Sequence, residues 1–70
     1  MFGKWLKDQR LNLGLTQQEL ANLLGLTKVT ISEFESGKRT AGLNALKKLS
    51  DFFGVSIYEL RLKMEEQNNG

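Results

Sequence analysis

The sequence contains neither cysteine nor histidine in its 70 residues. Their absence excludes disulfide cross-links, the thiolate and imidazole ligands of zinc, and the nucleophile pairs that need a cysteine or a histidine. It also removes the only side chain whose unperturbed pKa lies near neutrality. We therefore expect a protein that is not an enzyme and that holds no metal and no cofactor.

Long apolar runs are missing as well. No stretch approaches the roughly 18 apolar residues that a bilayer-spanning helix needs. The first ten residues, MFGKWLKDQR, lack the apolar segment of a signal peptide. We expect no membrane partner and a cytoplasmic location, with which the lack of cysteine agrees.

The length and composition indicate one small globular domain. A chain of this size forms a single core, and its 40% hydrophobic and 26% charged residues are typical of a folded protein. We expect one domain over residues 1–66 and a frayed tail over residues 67–70, which leaves no room for a small-molecule effector domain. Because the net charge is only +2, the kind of partner has to be inferred from where the charges lie.

Glycine placement is the most informative local signal. Three times the chain shows a glycine, one apolar residue, and then threonine or serine, at Gly14-Leu15-Thr16, Gly25-Leu26-Thr27 and Gly54-Val55-Ser56. A glycine just past a helix end can adopt the left-handed conformation that closes the last turn, and threonine or serine caps the first turn of the next helix. Each triplet therefore predicts the end of one helix and the start of another.

These signals predict an all-α domain. With a further stop at Gly37, the five helices are expected at residues 2–13, 17–24, 28–36, 43–53 and 57–65. Apolar residues at helical spacing supply the expected core. They are Leu6, Leu13, Leu20, Leu24, Ile31, Phe34, Leu46, Leu49, Phe53, Ile57 and Leu60.

The second and third predicted helices are separated by only three residues, a spacing typical of a helix-turn-helix. Ala21 is small enough for a close helix crossing, and Gly25 tolerates the positive φ that the turn needs. If Ile31 and Phe34 face the core, the opposite side of the third helix is exposed. That side carries Lys28, Val29, Ser32 and Glu33, with Ser36 at its end.

The residue types on this exposed face suit the edges of DNA bases. Lys28 can donate to guanine, Val29 can pack on a thymine methyl group, and Glu33 can accept from the cytosine amino group. Ser32 can donate or accept. On an arbitrary surface helix the same residues would simply be a solvated face, so their interpretation as base-reading residues depends on the helix-turn-helix context.

Two segments carry a more specific resemblance. LTQQELANLLGLT at residues 15–27 and ISEFESGKR at residues 31–39 are similar to the motif of the Cro and phage-repressor-like (XRE-type) helix-turn-helix family, and the similarity extends over residues 2–60. The resemblance implies a lambda-repressor-like fold of five helices with the helix-turn-helix at the second and third. It also implies a dimeric transcriptional regulator that lays its third helix in the major groove of double-stranded DNA.

The resemblance further assigns roles to individual positions. Gln17, Lys38 and Arg39 match family positions that contact DNA phosphates, although Gln17 can equally be a polar residue of the capping turn. Arg10 and Glu35 match a pair that forms a structural salt bridge. At residues 41–42 this chain has alanine and glycine where the family usually has proline and serine, so we expect a more flexible loop.

The family's dimer contact surrounds the fifth helix, which makes Phe52 and Tyr58 candidate interface residues. A two-fold dimer would require a near-palindromic operator. Repression is the expected mode of action. The alternative is a protein-interaction module on the same fold, such as an antitoxin or antirepressor subunit, because a net charge of +2 does not demand a nucleic-acid partner.

Overall fold

The computed structural model describes residues 2–68 and shows five helices, with no strand in that part of the chain. Their bounds agree with the sequence prediction to within three residues. The helices are α1 (Phe2–Asn12), α2 (Gln17–Leu24), α3 (Lys28–Ser36), α4 (Leu43–Phe53) and α5 (Ile57–Asn68). Helix α5 thus continues two residues into the predicted tail, whose last two residues lie outside the described part.

The predicted capping signals explain where the helices begin and end. At the start of α2, the Thr16 hydroxyl accepts from the Glu19 amide at 3.0 Å, and the Glu19 carboxylate accepts from the Thr16 amide at 2.9 Å. Thr27 and Ser56 accept from the amides three residues later in the same way. The four glycines that follow α1 to α4 all have φ between 68° and 81°.

Helix α3 lies at the centre of the fold, where it packs against α1 and α2, while α5 packs against α1 and α4. Most of the predicted core is buried, and Phe53 and Ile57 are partly buried against it. The fully buried set also includes Phe2, whose ring meets that of Phe34 edge-on at 5.8 Å between centroids. A core built around α3 fixes the direction in which its free face points.

One predicted core residue is wrong. The side chain of Leu13 is 54% exposed. Helix α1 ends at Asn12, so Leu13 lies in the turn that leads to Gly14, where helical periodicity no longer determines which way a side chain points. Leu15, on the other side of the turn, packs against the core instead.

Candidate nucleic-acid interface

The turn between α2 and α3 is built as the sequence predicts. Gly25 has φ 68° and ψ 32°, in the left-handed region, and the Leu26 amide donates back to the carbonyl oxygen of Ala21 at 2.8 Å. Ala21 is fully buried at this junction. Thr27 then caps α3, so the first residue of the helix, Lys28, follows directly from a rigid turn.

A residue of α4 reaches this turn as well. The Nζ atom of Lys48 lies 3.4 Å from the carbonyl oxygen of Gly25, at the carboxyl end of α2, where a positive charge is favourable. Lys48 is exposed, so its side chain lies in solvent and also contacts the helix-turn-helix.

The two sides of α3 differ sharply in exposure. Ile31 and Phe34 are buried against the other helices, whereas the side chain of Val29 is 65% exposed. Lys28 and Ser32 are exposed beside it. These three side chains are therefore accessible on one face of the helix.

Glu33 lies at the flank of this face and has an intramolecular partner. Its Oε1 atom lies 3.5 Å from Nη1 of Arg39, which follows the end of α3. The backbone of the same glutamate accepts from the amide of Lys38 at 3.0 Å and from the hydroxyl of Ser36 at 3.2 Å. Two predicted contact residues, one assigned to bases and one to phosphate, thus touch each other.

Arg10 and Glu35 form a nearly buried ion pair between α1 and α3. Arg10 Nε lies 2.7 Å from Glu35 Oε2 and Nη2 lies 3.1 Å from Oε1, and the two side chains are 9% and 5% exposed. The remaining Nη1 donates to the carbonyl oxygen of Leu15 at 2.8 Å. The hydrogen bond to Glu35 raises the pKa of Arg10 above its ordinary value, against the opposing effect of burial.

The same carboxylate positions Gln17. Its Nε2 atom donates to Glu35 Oε1 at 3.1 Å, so Gln17, at the first position of α2, is held against α3. The carboxylate of Glu35 therefore joins three elements: α1 through Arg10, α2 through Gln17, and its own helix α3. This network orients a side chain that the resemblance assigns to phosphate binding.

The segment between α3 and α4 is anchored near its end. Ala41 is buried, and its amide donates to the thioether Sδ of Met64 at 3.3 Å. This contact restrains the segment that the departure at residues 41–42 suggested to be flexible. Lys38 and Arg39 are exposed, between the end of α3 and this anchor.

The two candidate interface residues lie on different helices, Phe52 on α4 and Tyr58 on α5. Phe52 stacks edge-on against Phe53, at 4.9 Å between ring centroids, and lines a shallow cleft with Leu23. Tyr58 is 71% exposed on α5, where Leu62 follows one turn later on the same face and is also exposed.

Sequence reasoning missed Gly3. It is buried in α1, and a Cβ atom placed on it would lie 2.6 Å from the carbonyl oxygen of Glu35. A glycine inside a helix signals such close contact only weakly, because the sequence does not show which backbone approaches it.

Two other kinds of site are absent from residues 2–68. No helix there combines the length and apolar character needed to cross a bilayer. No group of three or more acidic side chains within residues 2–68 is arranged to hold a metal ion.

The chain is similar to known proteins along most of its length. A sequence model described as "Helix-turn-helix" matches residues 6–60. The chain is 43% identical over 56 residues to the SPbeta prophage-derived uncharacterized HTH-type transcriptional regulator YonR of Bacillus subtilis, covering 80% of this chain and 52% of YonR. It is 38% identical over 60 residues to the cryptic phage CTXphi transcriptional repressor RstR of Vibrio cholerae, covering 86% and 54%.

A third relative has nearly the same length. An uncharacterized HTH-type transcriptional regulator of Methanocaldococcus jannaschii is 36% identical over 62 residues, which cover 89% of this chain and 94% of the relative. By contrast, the chain spans only about half the length of the Bacillus and Vibrio relatives.

Proposed function

The chain belongs to the helix-turn-helix family, and from that premise we propose that it is a transcriptional regulator that binds double-stranded DNA at specific sequences. The observation that carries the proposal is the free outer face of α3. Val29 is 65% exposed there, while Ile31 and Phe34 hold the helix from behind. A helix fixed on one side and exposed on the other fits the major groove, which is wide enough to admit it.

In this proposal four residues of α3 read bases. Lys28, in the first turn, donates to guanine, and Val29 packs on a thymine methyl group. Ser32 lies one turn further along the same face. Glu33 accepts from the amino group of cytosine.

Three residues hold the sugar-phosphate backbone on either side of the groove. One N–H of the Gln17 amide is engaged by Glu35, and the second is available for a phosphate oxygen. Lys38 and Arg39 contribute positive charge just beyond the end of α3. The Arg10–Glu35 ion pair keeps these elements in register without touching DNA itself.

The regulator acts as a homodimer on a near-palindromic operator. A two-fold dimer places its two reading helices about 34 Å apart, one turn of DNA. Tyr58 and Phe52 are the exposed aromatic side chains proposed for the contact. Sedimentation of the wild type and of Tyr58→Glu tests this, because the charged variant should sediment as a monomer at concentrations where the wild type is dimeric.

Repression in the cytoplasm is the proposed mode of action. One relative, from Vibrio cholerae, is named a phage transcriptional repressor. A bound dimer can block transcription simply by covering DNA, and this requires neither a small-molecule ligand nor a cofactor.

The deciding experiment is selection of bound sequences from a random pool of duplex DNA. The wild type should enrich a near-palindrome. Lys28→Ala should change the enriched sequence, because that residue reads a base, whereas Lys38→Ala should weaken binding to all sequences alike. If the protein enriches no sequence, and instead captures a protein in stoichiometric amount, the antitoxin or antirepressor alternative on the same fold replaces this proposal.

A further inference from the structure

The ion pair between Glu33 and Arg39 joins a proposed base-reading residue to a proposed phosphate-binding residue. Oε1 of Glu33 lies 3.5 Å from Nη1 of Arg39. The chain turns back at Gly37, with φ 81°, and the Lys38 amide donates to the Glu33 carbonyl oxygen. This hydrogen-bonded turn is what brings the guanidinium of Arg39 over the flank of α3.

The ion pair is weak enough for each side chain to leave it for another partner. The side chains of Arg39 and Glu33 are 56% and 38% exposed, respectively, and their charged atoms are at the long end of ion-pair distances. Solvent screens such a pair, so it contributes little to stability. The Arg10–Glu35 pair, nearly buried at 2.7 Å, offers the contrast of a fixed contact.

DNA offers both Glu33 and Arg39 a contact that can replace their ion pair. The Glu33 carboxylate, close to phosphates, needs either a cation or a hydrogen-bond donor to offset repulsion. The amino group of cytosine supplies such a donor in the major groove. Adenine also presents an amino group there, whereas guanine and thymine present acceptors. Once the carboxylate is satisfied by a base, the guanidinium of Arg39 is released toward a phosphate.

We propose that Glu33 controls whether Arg39 binds a phosphate. On DNA without a suitable cytosine the carboxylate keeps the guanidinium, and on DNA with one it accepts from the cytosine amino group while Arg39 binds a phosphate. The inference rests on the proposed DNA-binding function and goes beyond it, because it makes one phosphate contact depend on one base. Specificity at that base then comes from both contacts together.

Lys38 provides the matched control. It precedes Arg39 directly, is exposed, and forms no ion pair within the described residues. Its contact with a phosphate therefore does not depend on any base. Losing it should reduce binding equally on every duplex.

The test compares the salt dependence of binding on two duplexes. Selection with the wild type and with Glu33→Gln identifies the cytosine that only the wild type prefers. Binding is then measured by fluorescence anisotropy at several salt concentrations, on the selected site and on the same site with that cytosine replaced by thymine, which offers no amino group to Glu33. For the wild type, log K against log salt should be steeper on the selected site by about 0.9 for each half-site, the value for one phosphate contact.

The variants distinguish this control of Arg39 by Glu33 from a simple effect of the charge on each side chain. Glu33→Gln frees Arg39 on both duplexes, so the two slopes of this variant should be equal. On the replaced site, its slope should be steeper than that of the wild type by about 0.9 per half-site. Arg39→Ala should also give equal slopes, both shallow. Lys38→Ala should lower both slopes by the same amount and preserve the difference between them.

Three results would contradict the control of Arg39 by Glu33 without contradicting DNA binding. These are the absence of a cytosine preference that depends on Glu33, equal wild-type slopes on the two duplexes, and a difference in slope that persists in Glu33→Gln. Failure of the wild type to bind any duplex is a separate outcome, since it removes the proposed function itself.

Discussion

Gly3 in α1 lies against the backbone of Glu35 in α3, so closely that an added Cβ atom would lie 2.6 Å from the Glu35 carbonyl oxygen and 2.7 Å from that of Phe34. Both neighbours are backbone atoms and cannot turn aside. The approach of the two helices is therefore set at this residue, a few positions before Arg10 and directly beside the helix that presents the proposed reading face.

Gly3→Ala tests this contact cleanly. In an isolated helix alanine is favoured over glycine by about 1 kcal/mol. Here the clash should reverse the sign and lower the free energy of unfolding by about 1 to 3 kcal/mol, measured by urea denaturation. Lys7→Ala, at an exposed position of the same helix, should change it by less than about 0.5 kcal/mol. A stabilised Gly3→Ala protein would show that α1 and α3 are further apart.

The Arg10–Glu35 pair should be essential to stability although ion pairs often are not. Arg10→Met leaves the Glu35 carboxylate nearly buried with only the Gln17 amide as side-chain partner. We expect unfolding free energy to fall by about 3 to 5 kcal/mol. The double variant Arg10→Met/Glu35→Leu should recover most of this loss, because no unpaired charge remains. A double variant as unstable as the single one would contradict this account.

The pH dependence of that loss follows from the direction of the pKa shift. Pairing raises the pKa of Arg10 in the folded state, so its contribution is fully present below the unfolded value and is lost only as pH rises through the folded value. Both values are strongly alkaline. The difference in stability between the wild type and Arg10→Met should therefore be the same at about pH 7 and about pH 9.

Helix boundaries were predictable because the signals that set them are local. The Thr16–Glu19 capping box and the left-handed Gly25 act within four residues of the helix ends that they define. Leu13 shows the limit of the method, since a helix that ends one residue earlier than expected turns a predicted core residue into an exposed one.

The predicted reading face follows from helical periodicity and from the buried positions of Ile31 and Phe34. The contacts around this face could not be predicted from the sequence, because they involve residues from other helices or from beyond a turn. The Glu33–Arg39 pair depends on how the chain folds back after Gly37. The contact between Lys48 and the Gly25 carbonyl joins residues 23 positions apart. Local sequence patterns carry no information about contacts between residues so far apart along the chain.

The Lys48 contact predicts different effects for adjacent lysines of α4. Lys48→Met removes a cation from the carboxyl end of α2 and should destabilise the protein by about 0.3 to 1 kcal/mol. Lys47→Met should have no measurable effect. Thermal unfolding of the two variants makes the comparison, and equal midpoints would show that the contact does not stabilise the turn.

The start of α4 offers a stabilising change. Gly42 is its N-cap, with φ −77° and no side-chain cap, and no atom would obstruct an added Cβ. Gly42→Ser should add the missing acceptor and stabilise by a few tenths of a kcal/mol. Gly42→Asp should stabilise similarly but weaken DNA binding, because its carboxylate lies near the Arg39 side of the interface. Calorimetry and anisotropy measure the two effects, and an aspartate variant with unchanged affinity would place phosphates elsewhere.

The small number of cations on the proposed interface limits how strongly salt can affect binding, because the salt dependence follows the number of phosphates contacted. If a dimer neutralises about four to six phosphates on its selected site, log K should fall against log salt with a slope between about −3.6 and −5.4. The cations that the proposal assigns to phosphates are Lys38 and Arg39 in each protomer. Lys28 is also exposed, on α3, and Arg10 is committed to Glu35. Anisotropy titrations over a range of salt concentrations give the slope directly. A flat response would exclude phosphate binding, and a slope much steeper than about −5.4 would require cations outside the face of α3 and the segment that follows it.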